Sequence, residues 1–85
     1  MFAFDIAGKI DRPSLEQRFT ADEVKKLYVT GGMGVGSHVF RLHGQEFSVL
    51  DDADYDSVYA NDKALLEEVR SRFFASYKTT EIKEY

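Results

Sequence analysis

The chain has no cysteine, no tryptophan and a single proline. Without cysteine there are no disulfide staples, no thiolate nucleophile and no Cys-ligated zinc. The absence fits a reducing compartment. No run of about 18 apolar residues occurs, so no segment reads as a membrane-spanning helix. The opening MFAFDIAGKIDR has no basic start, and Asp5 interrupts its short apolar run, which is unlike a secretory signal. These absences lead to the expectation of a soluble, cytoplasmic protein with no membrane contact.

Glycine is sparse outside one stretch. Four of the six glycines, Gly31, Gly32, Gly34 and Gly36, fall within TGGMGVGSH. A dinucleotide fingerprint spaces its glycines as G-x-G-x-x-G. Starting from Gly32, the third glycine would fall at Ser37; starting from Gly34, it would fall at Val39. The lysine of a phosphate-binding P-loop is missing as well. Phosphate loops also run strand, loop, helix, so that a helix N-terminus faces the anion. Here the loop follows a helix-like segment and precedes a strand-like one. It therefore reads as a hinge, with Gly31 ending the helix in the left-handed conformation. Met33 and Val35 at its tip are apolar and need a docking place, in the core or on a partner.

What is present is aromatic and charged. The 85 residues include seven Phe and five Tyr, and 44% of them are hydrophobic. Aromatic rings supply the large buried areas a small core requires. A chain of this length buries roughly 60–65% of its unfolded surface, enough for one core. Residues 1–85 are expected to form a single domain. The net charge is −4 and is unevenly spread. From Glu46 to Glu68 there are eight acids against one base, Lys63, a net of −7 that leaves +3 for the rest.

Local patterns give the elements. Phe2, Phe4 and Ile6 alternate with Ala3, Asp5 and Ala7, a strand with one apolar face. Ser14 with Gln17 is a weak capping box. Thr20 with Glu23 is a better one, with Phe19 and Val24 placed as its hydrophobic staple. The expected second helix shows Val24, Leu27 and Tyr28 on one face and stops near Thr30. His38–Leu50 reads as a hairpin turning at His43-Gly44. Counting outward pairs Leu42 with Gln45, Arg41 with Glu46, Phe40 with Phe47, Val39 with Ser48 and His38 with Val49. The aromatic pair and the ion pair fall on opposite faces, which supports that register. Residues 51–56 are too charged for a strand and read as a loop. Asn61 then caps a long helix with Leu65, Leu66, Val69, Phe73 and Tyr77 on one face and Phe74 on the flank. The tail TTEIKEY adds a short strand or frays. The expected fold is α+β: a two-layer domain in which a three-stranded, mainly antiparallel sheet, the N-terminal strand plus the 38–50 hairpin, is packed by the long C-terminal helix. One or two short helices follow the first strand.

The constellations that could carry chemistry are weak. Asp52, Asp54 and Asp56 match the first ligands of a calcium loop. Ser57 stands where the glycine is needed, and Lys63 where the bidentate glutamate is needed. His38 and His43 are five apart on one strand and point to opposite faces, so they cannot share a metal. His43 is expected in solvent and His38 at the edge of the core. Ser37 and Ser48 have no selected base, so no catalytic set emerges. No catalytic residue, cofactor or metal ligand is assigned.

Lys25, Lys26, Arg70 and Arg72 could form a basic patch for nucleic acid. With a pI near 5.0 the overall balance opposes phosphate-driven affinity. The remaining feature is the acidic, tyrosine-bearing segment Asp51, Asp52, Asp54, Tyr55, Asp56 and Tyr59. Tyr provides contact area while carboxylates steer association, and a carboxylate array can imitate nucleic-acid phosphates. The expected function is a non-enzymatic binding module, an adaptor or inhibitor. It would engage a basic surface on a protein partner through residues 51–59, with Met33 and Val35 as further contacts. The alternatives are a nucleic-acid-binding domain and a self-associating subunit that buries Met33, Val35 and Phe74.

Overall fold

The alternation of Phe2, Phe4 and Ile6 does form a strand, β1 (Phe2–Ile6). It lies inside a six-stranded antiparallel sheet in the computed structural model, which describes residues 1–8, 10, 12–19, 23–32, 35–51 and 55–85. The further elements are α1 (Arg12–Arg18), β2 (Val24–Gly32), β3 (Val35–Leu42), β4 (Gln45–Asp51), β5 (Asp56–Ala60), α2 (Lys63–Phe73) and β6 (Lys83–Glu84). The strand order is β2-β3-β4-β5-β1-β6. The α+β class holds, but the expected three strands are six, because β2, β5 and β6 join the sheet.

The β3–β4 hairpin has the register read from sequence, with Phe40 opposite Phe47 and Arg41 opposite Glu46. His43 (φ 54°) and Gly44 (φ 76°) both take left-handed backbone, as a two-residue turn of the primed type demands. The Phe40 and Phe47 rings stack at 5.4 Å. On the other face Arg41 and Glu46 approach to 3.4 Å.

The helix expected after Thr20 is instead the strand β2. Thr20 itself lies outside the described residues. The spacing of Val24, Leu27 and Tyr28 imitates a helix because β2 contains a bulge. Lys26 pairs with Phe40 and Tyr28 with Val39, so Leu27 is an extra residue. One inserted residue breaks the period of two, and strict alternation never shows in the sequence. Gly31 is accordingly no helix terminator. It pairs with Gly36, and Gly32 pairs with Val35. The glycine stretch joins two strands of a hairpin rather than a helix to a strand. Met33 and Gly34 lie outside the described residues.

Other boundaries shift by short steps. The helix α1 begins at Arg12, with Pro13 in its first turn, where a missing N–H costs nothing. Ser14 is therefore inside the helix and not its cap. Asp62, not Asn61, caps α2: its Oδ1 accepts the Leu65 N–H at 3.1 Å. The helix stops at Phe73, and the Tyr77 N–H closes a turn onto the Phe74 carbonyl at 3.0 Å. The tail then runs antiparallel to β1. Ala7 N–H donates to Lys78 O, Thr80 N–H to Asp5 O and Tyr85 N–H to Met1 O.

Both helices pack on one face of the sheet, since Leu15 of α1 and Leu65, Leu66 and Val69 of α2 share a buried cluster with Phe4, Phe40, Phe47 and Val58. Phe19 is the hub. Its ring lies 4.3 Å from Phe40, 5.4 Å from Phe47, 5.3 Å from Phe73 and 5.7 Å from Phe74. Arg18 ties the helices together. Its Nη1 donates to the Phe73 carbonyl at the end of α2, and its guanidinium lies 4.3 Å from the centre of the Tyr77 ring. That carbonyl is one of those a helix C-terminus leaves without an internal donor. No helix among the described residues is long and apolar enough to cross a membrane.

Candidate functional site

Successive residues of a strand point to opposite sides of the sheet, so the registers sort every strand residue onto one of two faces. Phe4, Ile6, Phe40, Phe47, Val49, Val58 and Ala60 lie on the face covered by the helices. Among the described residues no helix lies on the opposite face. One row across it reads Val39, Ser48, Tyr59, Ala3 and Lys83. The next row reads Leu50, Ser57 and Asp5. Val39, Ser48, Leu50 and Tyr59 are half-buried there, and the Ser57 hydroxyl donates to Asp5 Oδ1 at 2.7 Å. Val39 and Leu50 were not singled out from sequence, although a signal existed. Each is apolar yet out of phase with the core residues beside it, Phe40 and Val49.

The acidic segment divides between these two faces. Asp51 closes β4 and pairs with Asp56, the first residue of β5. Asp56 is only 2% exposed, and its Oδ2 accepts the Ile10 N–H at 2.7 Å. Asp56, expected in the partner-binding array, is placed in the interior, where this bond ties it to the chain that leads into α1. The reason lies in β5, which the charge of the segment had hidden. In DSVYA, Asp56, Val58 and Ala60 share the core face while Ser57 and Tyr59 share the other. Tyr55 is 41% exposed. Val35 belongs to β3, opposite Gly32. Asp52, Asp54 and Met33 lie outside the described residues. The structure therefore places Tyr59 on the same sheet face as Val39 and Leu50, leaves Tyr55 at the surface and buries Asp56.

The candidate basic residues sit on two elements, and the side chain of Lys26 lies outside the described ones. Lys25 is exposed and pairs with Arg41 on the face without helices, whereas Arg70 and Arg72 are on α2. Arg72 bonds both Glu68 and Glu23, and Arg70 donates to the Thr80 carbonyl at 3.1 Å. Phe74, expected at a self-association surface, is 1% exposed and packs edge-on against Phe4 at 5.8 Å.

His38 is buried on the core face, while Ser48 belongs to the opposite face. They form no nucleophile–base pair. His43, at the turn, is exposed and contacts Glu68 Oε2 at 2.9 Å.

A groove of about 840 Å³ opens at the other end of β4, lined among others by Phe2, Arg41, Gln45, Glu46, Asn61 and Lys63. Its charges are of both signs, and the length of the strands separates it from Tyr55. Among the described residues no three His, Asp or Glu side chains gather as a metal site would require.

Comparison with protein-family models, with curated proteins and with solved structures finds no match to this chain in any of the three.

Proposed function

We propose that this chain is a small non-enzymatic protein-binding module, an adaptor or inhibitor, that docks on a basic surface of a protein partner. The observation that carries the reading is the placement of the two tyrosines. Tyr55 stands exposed at the end of the acidic connection, and the strand it leads into presents Tyr59 on a sheet face without helices. Tyr59, Val39 and Leu50 offer contact area on one rigid sheet, which limits the ordering cost of binding. The carboxylates of Asp52 and Asp54 supply the charge that steers a basic partner, from a segment whose net charge is −7. An inhibitor of a nucleic-acid-binding protein fits this chemistry, with carboxylates standing where phosphates would.

The test is affinity capture of tagged protein from the native host lysate, washed at about 50 mM and then about 500 mM salt, which shortens the screening length from roughly 14 Å to 4 Å. The expected result is one basic partner, released by the salt step and not captured by the double variant Asp52→Lys, Asp54→Lys. Capture of the same partner by a folded double variant would overturn the reading.

A further inference from the structure

The two edges of the sheet are treated differently. At one edge the tail of residues 78–85 bonds along β1. At the other edge stands β2, nine residues long, with β3 on one side and no strand on the other among the described residues. An edge strand presents a row of unpaired N–H and C=O groups, and proteins guard such edges with lysines and bulges. β2 has both guards, but only in its first half. Lys25 and Lys26 precede the bulge at Leu27, and Tyr28–Gly32 beyond it pair regularly with Val35–Val39.

That unguarded half belongs to a stretch with an unusual composition. From Leu27 to Phe40 there are 14 residues without a single Asp, Glu, Lys or Arg, in a chain that is 31% charged. At that frequency about four would be expected. Uncharged strand segments without proline are the ones that add to another edge.

We infer that the Tyr28–Gly32 edge pairs with the same edge of a second copy of this chain. The pairing is antiparallel about a two-fold axis at Thr30, and it makes one continuous sheet through both copies. Such an axis matches Tyr28 with Gly32, Val29 with Gly31 and Thr30 with Thr30, with no charged residue in the interface. It also places the two Lys26 residues eight strand positions apart, roughly 27 Å at 3.4 Å per residue. That is well beyond a screening length of about 8 Å. An axis nearer the start of β2 would set lysine against lysine. An uncharged edge offers nothing to steer a different, charged partner, whereas a copy brings a strand of equal length and the same character. Five paired residues make an interface at the small end of the known range, so the dimer is weak and forms only at high concentration. This inference is independent of the tyrosine surface proposed above, which is built on other strands.

The test is sedimentation of the full chain from about 10 μM to about 1 mM, the range in which a weak interface associates. The mass is expected to rise from 9.7 kDa toward twice that value. Thr30→Lys and Thr30→Glu set like charges directly opposite at the axis, so each alone is expected to stay monomeric, while an equimolar mixture regains the dimer. Circular dichroism confirms that both variants fold. Hydrogen exchange of the unmodified chain gives a reading without substitution: amides in 28–32 exchange more slowly at high concentration. A monomer at every concentration overturns the inference and leaves the edge to a strand from another chain. A dimer that both variants retain overturns it as well, because the contact then lies elsewhere.

Discussion

The Asp56 carboxylate accepts the backbone N–H of Ile10 across 46 positions of sequence, and it does so inside the protein. A charge-assisted hydrogen bond of this kind is stronger than a neutral one. Asp56→Ala leaves a buried donor without its acceptor, with an expected loss of about 2–3 kcal/mol. Asp56→Asn keeps an acceptor oxygen in place and should lose less than half as much. Urea unfolding of both variants measures this; equal, near-zero losses would mean that the carboxylate does not hold the segment before α1.

Phe19 touches four other phenyl rings from both layers. Truncating such a residue removes its transfer energy and leaves a cavity. Phe19→Ala is therefore expected to cost about 3–5 kcal/mol. For a domain of this size that is a large share of the total stability. Phe19→Leu should retain most of it. Thermal unfolding followed by circular dichroism distinguishes the two.

Arg18 contributes through geometry as well as charge. It donates to the last turn of α2 and lies over Tyr77. Arg18→Lys keeps the charge but not the planar fork that stacks and donates at once. Both Arg18→Lys and Arg18→Ala are expected to be destabilised by about 1–2 kcal/mol, since lysine restores little. If Arg18→Lys unfolds at the same urea concentration as the original chain, the stacking contributes nothing.

The β3–β4 turn offers a backbone test. Gly44 has φ +76° and open space around a would-be Cβ. Gly44→Ala meets no steric clash, so its cost of about 1 kcal/mol comes from the left-handed conformation alone. His43→Asn supplies the preferred Asn-Gly turn. Its gain is expected to offset the lost contact with Glu68, leaving stability within about 0.5 kcal/mol of the original. Chemical denaturation of the two single variants separates these effects.

Tyr59 is half-buried on the face without helices, and no helix rests on it. Tyr59→Ala is expected to change stability by under about 1 kcal/mol while lowering partner capture several-fold. A variant that instead loses its fold would place Tyr59 in the core's energetics and not in recognition.

Some of this architecture was legible along the chain. The hairpin register followed from counting outward at His43-Gly44, because side-chain period and turn length leave one solution when Phe40 must meet Phe47. The β1 alternation and the apolar stripe of α2 were equally local. β2 and β5 were not. The bulge at Leu27 gave β2 the spacing of a helix, and the acidic start of β5 resembled a loop because the acceptor role of Asp56 exists only once Ile10 is beside it. Of the residues singled out in sequence, Tyr55 stands at the surface and Tyr59 on the sheet face opposite the helices, while the interior position of Asp56 left no local signal.

The sequence by itself determined what depends on near neighbours: the turn, the alternation, the helical stripe and the uneven charge. Only the tertiary structure decided which face each strand residue takes, which strands stand at the edges of the sheet among the described residues and which carboxylate is buried. Those outcomes depend on hydrogen bonds and ring contacts between residues tens of positions apart, and such contacts leave no period in the chain to read.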